Sequence, residues 1–211
     1  MPLHSLFFPK IDEIPKPGLR AQLKMAPKHR LSELEVFLNV PAHARKAAVM
    51  MLLYPNEQDE LYFCLIQRST YDGKHSGQIS FPGGKKEKTD ADYWETALRE
   101  TAEEIGVNSS DVNLLTVLSS TYIPPSNFLV YPFLGYTDNR PNFIPEIGEV
   151  DHIIEVPLSD LLTESNITEG QIKASYMKDI NVPMFVFDQY KVWGATAMIL
   201  AEARELILLA K

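Results

Sequence analysis

Three closely spaced glutamates, Glu100, Glu103 and Glu104, follow a Pro-Gly-Gly turn in the stretch Phe81 to Val107, FPGGKKEKTDADYWETALRETAEEIGV. Glu100 stands three and four residues before Glu103 and Glu104, and this spacing places side chains on one face of a helix. Crowded carboxylates repel one another unless a cation lies among them, and hard divalent cations such as Mg²⁺ prefer oxygen ligands. The stretch therefore predicts a helix that carries a metal site beside a tight backbone turn.

The same stretch contains signals that begin and end a helix. Asp90 or Asp92 can cap its start, where acidic residues suit the helix dipole, and Gly106 is well placed to end it. Helical spacing predicts a packed side made of Trp94, Leu98, Thr101, Ala102 and Ile105. It predicts an opposite side made of Thr96, Glu100, Glu103 and Glu104. The alternative for this opposite side is a solvated acidic face without a function.

This stretch resembles the Nudix box, G-x5-E-x7-R-E-U-x-E-E-x-G-U, where U is apolar. The matching residues are Gly84, Arg99, Glu100, Glu103, Glu104, Gly106 and Val107. Asp90 replaces the first Glu, eight residues instead of seven separate it from Arg99, and Thr101 replaces an apolar residue. The acidic Asp90 and the extra residue are similar to the coenzyme A pyrophosphatase branch of the Nudix family.

The resemblance implies hydrolysis of a nucleoside diphosphate linked to another moiety, with Mg²⁺ or Mn²⁺ as the cofactor. It assigns metal binding and catalysis to Glu100, Glu103 and Glu104, with the Gly84 carbonyl as a further metal ligand. A metal ion on the diphosphate would neutralise charge and lower the pKa of a bound water. The fold implied is α/β, a Nudix α/β/α sandwich with a mixed sheet between helices.

The general base is open at this stage, because a carboxylate beside the attacking water can take its proton. Glu100 is our first choice, and Glu146 and Glu149 are the alternatives. Arg99 is expected to be structural, paired with an acidic residue such as Asp90 or Glu103.

A second motif lies upstream, LIQRSTYDGKHSGQISFPGG, residues 65–84. It resembles the coenzyme A signature of the same branch, L-L-T-x-R-[SA]-x3-R-x3-G-x3-F-P-G-G. The matching residues are Leu65, Arg68, Ser69, Gly77, Phe81, Pro82, Gly83 and Gly84. Ile66 replaces the expected Thr, and Gly73 stands where the second Arg is expected.

Cations of this second motif are candidates for binding substrate phosphates, of which coenzyme A carries three. Arg68, Lys74 and His75 lie near the glycine turn of a net acidic chain, and Gly83 in the turn is included as substrate-binding. Lys74 would meet a phosphate as a point charge. The alternatives are ordinary loop charges for Arg68 and Lys74, and a hydrogen-bonded turn residue for His75.

Three downstream positions are further candidates. Phe128 follows the loop YIPPSNF and is expected either to stack on an adenine or to join the core. Glu149 resembles an acidic position of the family and is a candidate substrate contact, metal ligand or base, or else part of a solvated turn. Trp193 opens the last helix. Packing in the core is its expected role, and lining a pocket is the alternative.

Composition bounds the class of protein. The chain has 211 residues, 45% of them hydrophobic, and a net charge of −8, which suits one globular domain and argues against general nucleic-acid binding. The single cysteine, Cys64, excludes an internal disulfide. Neither a signal peptide nor a membrane span is recognised. We expect a cytoplasmic protein that acts on a small molecule and binds neither membrane nor nucleic acid, with a homodimer as an open option.

Apolar runs and turn signals predict the order of elements. Strands are expected at 47–54, 61–67, 79–81, 112–118, 129–136 and 153–156, a short helix after Pro157, a late hairpin from 172–176 and 184–186, and a final helix at 194–210. One domain, 1–211, is predicted, with a variable extension at 1–43 and a core at 44–205. The functional alternatives are hydrolysis of ADP-ribose or a dinucleotide, and a non-catalytic ligand sensor.

Overall fold

The computed structural model describes residues 10–27, 39–69, 77–174 and 177–211. Lys74 and His75 lie outside these residues, and so does Gly73. The sequence from Leu31 to Phe37 weakly favours a helix, and this segment lies outside the described residues too. The roles expected for Lys74 and His75 therefore stay predictions.

A mixed sheet is built around two apolar strands, β1 (Arg45–Pro55) and β2 (Leu61–Arg68), which pair antiparallel. Strand β7 (Phe128–Tyr136) pairs with β1 in parallel, which makes the sheet mixed. The other strands of this sheet are β3 (Ile79–Ser80), β4 (Gly83–Lys85), β5 (Asn113–Val117), β6 (Thr121–Ile123) and β8 (Val150–Pro157). Of these, β4 pairs with β1, β3 and β8 pair with β2, and β5 and β6 pair with β7.

Both faces of β1 are buried, which explains its continuous apolar run. Ala47, Met51 and Leu53 belong to one hydrophobic cluster, and the alternating residues Ala48, Met50, Leu52 and Tyr54 belong to another. Successive side chains of a strand point to opposite faces of its sheet, so one cluster lies on each face.

Helices cover the two faces of this sheet. Helix α1 (Gly18–Gln22) precedes the sheet, α2 (Tyr93–Ile105) contributes to the cluster around Met50, and α3 (Leu158–Leu162) and α4 (Gly194–Ala210) contribute to the cluster around Met51. The predicted α/β/α sandwich with a mixed sheet is confirmed. In the described part of the chain, no helix is long and apolar enough to cross a membrane.

A second, three-stranded sheet differs from the predicted hairpin. Strands β9 (Ile167–Ala174), β10 (Met177–Phe187) and β11 (Tyr190–Trp193) form it in the order β11-β10-β9. Ile180 pairs with Ile172 and Met184 pairs with Thr168, and the register shifts between Met177 and Ile180. The predicted extent of the hairpin was wrong, because this irregularity and the polar residues around it interrupt the alternation that marks a strand.

One attachment of the N-terminal extension to the core is the buried carboxylate of Glu202 on α4, which is 0% exposed. Its oxygens accept hydrogen bonds from the Gln22 side chain at 2.7 Å and from the backbone N–H groups of Gly18 and Ser119 at 3.2 and 3.1 Å. Since a buried polar group must find partners, these bonds place the helix α1 against the connection between β5 and β6.

Candidate active site

Helix α2 begins and ends with the residues that local rules select. Asp92 caps its start by accepting a hydrogen bond from the Glu95 N–H at 2.8 Å. Gly106 ends it with φ 72°, in the left-handed region, and donates its N–H to the Ala102 carbonyl. The extent and both ends of the predicted glutamate helix are confirmed.

The sides of α2 differ from the prediction at two positions. Thr96 is 0% exposed and Glu104 is 2% exposed, although both were placed on the side opposite the packed one. The physical reason is that the helix packs against β1 and the glycine strand β4, and glycines leave room for a carboxylate beneath the helix. Glu103 alone of the three glutamates has a side chain that is mainly exposed, at 57%.

The buried carboxylate of Glu104 has two hydrogen-bond donors. Its Oε2 accepts from the backbone N–H of Gly83 at 2.7 Å, and its Oε1 accepts from Nη1 of Arg68 at 3.0 Å. Burial nevertheless raises the pKa of Glu104 to about 7, because removal from water disfavours the anion more than these two donors favour it. The Arg68 predicted from the upstream motif thus lies directly beside the glutamate helix.

The two glycines of the turn are required by close contacts. A methyl group at Gly84 would lie 2.4 Å from the carboxylate of Glu100. Gly83 has φ 148°, and a methyl group there would lie 2.4 Å from the backbone oxygen of Ala48. The bare backbone of β4 therefore allows the Glu100 carboxylate to approach the sheet.

Arg99 binds several carboxylates at once. Its Nε donates to Asp90 at 2.9 Å, its Nη1 donates to Glu103 at 2.9 Å, and its Nη2 lies 3.0 Å from Glu100. Asp90 is 5% exposed, and the Arg99 guanidinium holds its pKa well below the usual range. Both pairings suggested by the sequence, with Asp90 and with Glu103, are present together.

Glu100 is the second carboxylate whose anion is disfavoured. Burial raises its pKa, the Arg99 charge opposes that rise, and the negative charges of Glu103 and Glu149 add to it. Two partly or fully buried acids, Glu100 and Glu104, thus stand beside one another with excess negative charge around them. A cation placed between them would remove this cost.

A cavity of about 470 Å³ opens beside these carboxylates. Its wall contains seven of the sequence candidates: Arg68, Gly83, Gly84, Glu100, Glu104, Phe128 and Glu149. Trp193 also lines it, which is the alternative that the sequence favoured less than packing. The cavity therefore joins the glutamate helix, the upstream motif and the downstream candidates in one site.

Among the described residues that line this cavity, neither Glu103 nor Glu146 is found. Glu103 is turned toward Arg99, and the exposed Glu146 contributes its backbone N–H, which donates to the Glu104 carbonyl at 3.0 Å. Glu149 is held at the end of β2 by the Ser69 N–H, which donates to its carbonyl at 2.9 Å. Of the two downstream acids, only Glu149 is placed to act on a molecule in the cavity.

The carboxylate oxygens of the site are the ligand type that a hard divalent cation prefers, but among the described residues they are not arranged as a complete binding site. Within the residues described, no three His, Cys, Asp or Glu side chains are grouped closely enough to hold a metal ion. Glu100 and Glu104 supply carboxylate oxygens on the cavity wall. Burial raises the pKa of both, and the nearby Arg99 and Arg68 offset that rise only in part. Glu103 lies close enough to raise the pKa of Glu100 electrostatically.

Four further residues at the cavity were missed from the sequence. Ser80, Lys85 and Thr121 line it, and the Arg45 guanidinium lies 4.0 Å from the ring centroid of Phe128. The ring proposed to stack on an adenine thus carries a cation over one face. Lys85 directly follows the Gly-Gly pair, a signal that was open to sequence reasoning, whereas Arg45 and Thr121 approach the site only through folding.

Comparisons with known proteins identify the family of this chain. The NUDIX domain matches residues 44–177, more than half of the chain. The chain is 32% identical over 155 residues to the peroxisomal coenzyme A diphosphatase ndx-8 of Caenorhabditis elegans, covering 72% of this chain and 64% of that one. It is 30% identical over 167 residues to the mitochondrial coenzyme A diphosphatase NUDT8 of Homo sapiens, covering 79% and 71%.

The fold is shared with solved structures at much lower identity. The crystal structure of the Nudix hydrolase RenU from M. smegmatis has a TM-score of 0.55 at 13% identity, covering 79% of this chain and 87% of that chain. The present chain spans between 55% and 64% of the length of three curated relatives. Since the domain match covers most of the chain and these relatives share at least 30% of the aligned residues, the chain belongs to the Nudix hydrolase family.

Proposed function

We propose that this protein is a metal-dependent pyrophosphatase that hydrolyses the diphosphate bond of coenzyme A or its thioesters. Water would attack one phosphorus atom and the bridging P–O bond would break, which gives 3′,5′-ADP and 4′-phosphopantetheine or its acyl form. The observation that carries the proposal is the convergence of Arg68, Glu100, Glu104 and Glu149 on one cavity beside the Gly83-Gly84 turn.

The carboxylates of the wall have separate tasks in this proposal. A divalent cation such as Mg²⁺ or Mn²⁺ held by Glu100 and Glu104 would neutralise the diphosphate and lower the pKa of a bound water. Glu100 is our choice to accept the proton of that water, since its carboxylate lies on the wall and burial raises its pKa. Glu149 is the alternative base, because it lines the same cavity.

The cations of the site support a substrate rich in phosphate. Arg68 uses Nη1 for Glu104, and a guanidinium has further N–H groups that can donate to a phosphate. Lys85 lines the cavity, and Arg45 lies over Phe128 beside it. Two relatives named as coenzyme A diphosphatases, at 32% and 30% identity, also favour this substrate.

A substrate panel tests the proposal. Coenzyme A, dephospho-coenzyme A, ADP-ribose and NADH would be incubated with the protein and Mg²⁺, and the products identified by chromatography and mass spectrometry. We expect coenzyme A to give the highest kcat/KM and to yield 3′,5′-ADP. A clear preference for ADP-ribose would reject the substrate assignment.

A matched variant separates this activity from contamination. Glu104→Gln keeps an oxygen that can accept the Gly83 N–H but lacks the negative charge, so we expect kcat to fall by about 10²-fold or more. Unchanged turnover would reject the role of Glu104. The homodimer and the cytoplasmic location remain predictions, and the panel does not depend on either.

A further inference from the structure

The wall of the cavity has an apolar part that the chemistry of phosphate hydrolysis does not use. It comes from the main sheet, the second sheet and α4, and it consists of Val130, Ile172, Ile180, Val182, Met198 and Ile199. The reacting carboxylates come instead from α2. Because hydrophobic walls bind apolar parts of a ligand and a few polar groups orient it, this part is suited to a largely aliphatic moiety.

Two buried hydroxyl groups interrupt this apolar wall. Thr121 is 2% exposed, and both it and Ser80 line the cavity. Neither the Thr121 Oγ1 nor the Ser80 Oγ has a hydrogen-bond partner within the described residues, although both atoms are buried. Buried polar atoms are nearly always paired in proteins, so a rotation of either side chain toward the cavity would let a bound molecule supply the missing hydrogen bond.

The other side-chain hydroxyls of the wall already donate hydrogen bonds. Thr196 Oγ1 donates to the Ile79 carbonyl at 3.1 Å. The Tyr122 hydroxyl donates to Asn127 at 3.0 Å, and Ser126 Oγ lies 3.5 Å from the Ile123 carbonyl that it faces. Ser80 and Thr121 therefore differ from the other hydroxyl-bearing residues of the wall.

The number of free hydroxyls discriminates between ligand chemistries. A second sugar would bring several hydroxyl groups into an apolar compartment, and each would need a partner. An aliphatic chain with amide groups brings only one N–H and one C=O per amide, and a hydroxyl can donate to or accept from either. The compartment matches the amide-bearing chain better.

We propose that Ser80 and Thr121 are specificity-determining residues that hydrogen-bond the amide groups of an aliphatic chain attached to the substrate diphosphate. Resting on the proposed function, this inference assigns the pantetheine moiety of coenzyme A to the apolar part of the cavity. Ser80 stands four residues before Gly84, a separation of at most roughly 14 Å along the chain. A chain that begins at a diphosphate beside Gly84 can therefore reach it.

Binding of the two reaction products to the metal-free protein tests the inference by calorimetry. 4′-Phosphopantetheine carries the amide chain, and 3′,5′-ADP lacks it. We expect Thr121→Val and Ser80→Ala each to raise the Kd of 4′-phosphopantetheine by roughly threefold to tenfold, the effect of one lost hydrogen bond. The Kd of 3′,5′-ADP should stay unchanged.

A control variant and the melting temperature separate binding from folding. Thr137→Val removes a buried hydroxyl that donates to the Asn139 carbonyl at 2.8 Å outside the cavity wall, and it should leave both Kd values unchanged. Thr121→Val and Ser80→Ala should melt no lower than the wild type, because each removes an unpaired group. In kinetics, the KM for coenzyme A should rise by the same factor as the Kd.

The outcomes distinguish this inference from the proposed function. If the wild type cleaves coenzyme A and both variants bind 4′-phosphopantetheine as tightly as the wild type, the inference alone is overturned. The inference would also be overturned if the variants bound both products more weakly by the same factor. A lower melting temperature with unchanged Kd values would overturn it too, because the hydroxyls would then have a structural role. If the wild type does not cleave coenzyme A, both proposals fall.

Discussion

A rise in pH from about 5 to about 8 should destabilise the metal-free protein through Glu104. The folded protein holds the Glu104 proton up to a pKa of about 7, whereas the ordinary pKa of a glutamate is 4.5. The native state therefore binds more protons than the unfolded chain between these two values. The stabilisation is complete below 4.5, decreases as the pH rises toward 7, and is absent above it.

The magnitude follows from the size of the shift. One pKa unit corresponds to about 1.4 kcal/mol, so a rise from 4.5 to about 7 corresponds to roughly 3 kcal/mol of unfolding free energy. The group is 2% exposed, so solvent screening does not reduce this figure much. For a chain of this size, the same change shifts the melting temperature by roughly 6 to 12 °C.

Urea unfolding in the presence of a chelator measures this effect in the wild type and in Glu104→Gln. The variant cannot titrate at this position, so its unfolding free energy should lose roughly 2.5 kcal/mol less than that of the wild type between about pH 5 and about pH 8, because part of the effect falls below about pH 5. Glu164→Gln is the control, since Glu164 has an 81% exposed side chain and should behave as the wild type does. Added Mg²⁺ should raise stability more at about pH 8 than at about pH 5, because ligands bind metal when deprotonated.

One result would refute the reasoning. If the wild type and Glu104→Gln showed the same pH dependence, burial would not be holding a proton on this carboxylate. Glu100 also has a raised pKa, and its negative charge adds to the raised pKa of Glu104, so the difference between the two proteins reports Glu104 together with this coupling. Asp90, whose pKa is depressed, acts with the opposite sign and only below about pH 4.

Two further substitutions test the geometry of the site. Gly84→Ala should lower kcat by about tenfold or more yet change the unfolding free energy by less than about 1 kcal/mol, because the methyl displaces only the flexible end of Glu100. Gly170→Ala is the control, because its methyl would meet a methionine side chain of the second sheet, and it should keep the wild-type kcat. Arg99→Ala should cost about 3 kcal/mol in urea unfolding, because the buried Asp90 loses its cationic partner.

These expectations fail in recognisable ways. Equal kcat values in Gly84→Ala and Gly170→Ala would show that the position of the Glu100 carboxylate does not matter for turnover. Lys24→Ala removes an exposed ion pair with Glu205 and should cost less than about 1 kcal/mol. If Arg99→Ala lowered the free energy of unfolding no more than Lys24→Ala does, the ion pairs of Arg99 would contribute no more to stability than an exposed pair.

Local rules explain why much of the fold was predictable. The ends of α2 depend on a capping aspartate and a left-handed glycine, which act within a few residues. The continuous apolar run of β1 reflects burial on both faces of a central strand. The short strands β4, β6 and β11 were missed, because glycine-rich or three- to four-residue strands have no clear period and form through pairing with longer neighbours.

The candidate site was predicted in composition but not in arrangement. The sequence identified Arg68, Glu100 and Glu104, and all three lie on the cavity wall. It grouped Glu103 with them, whereas Arg99 holds Glu103 at the exposed side of the helix. Helical spacing alone cannot show that two adjacent glutamates have different surroundings. The residues that surround each side chain come from other parts of the chain.

The sequence by itself determined which functional groups this chain carries: a capped helix of glutamates behind two glycines. The ends of this helix depend on contacts within a few residues. Only the tertiary structure decided which acids are buried, because burial of Glu104 depends on the strand that holds Gly83. It also decided that Ser80 and Thr121 line the same cavity and that their hydroxyls have no hydrogen-bond partner among the described residues. Solvent exclusion and the pairing of distant groups are properties of packing, and packing is set by residues far apart in the chain.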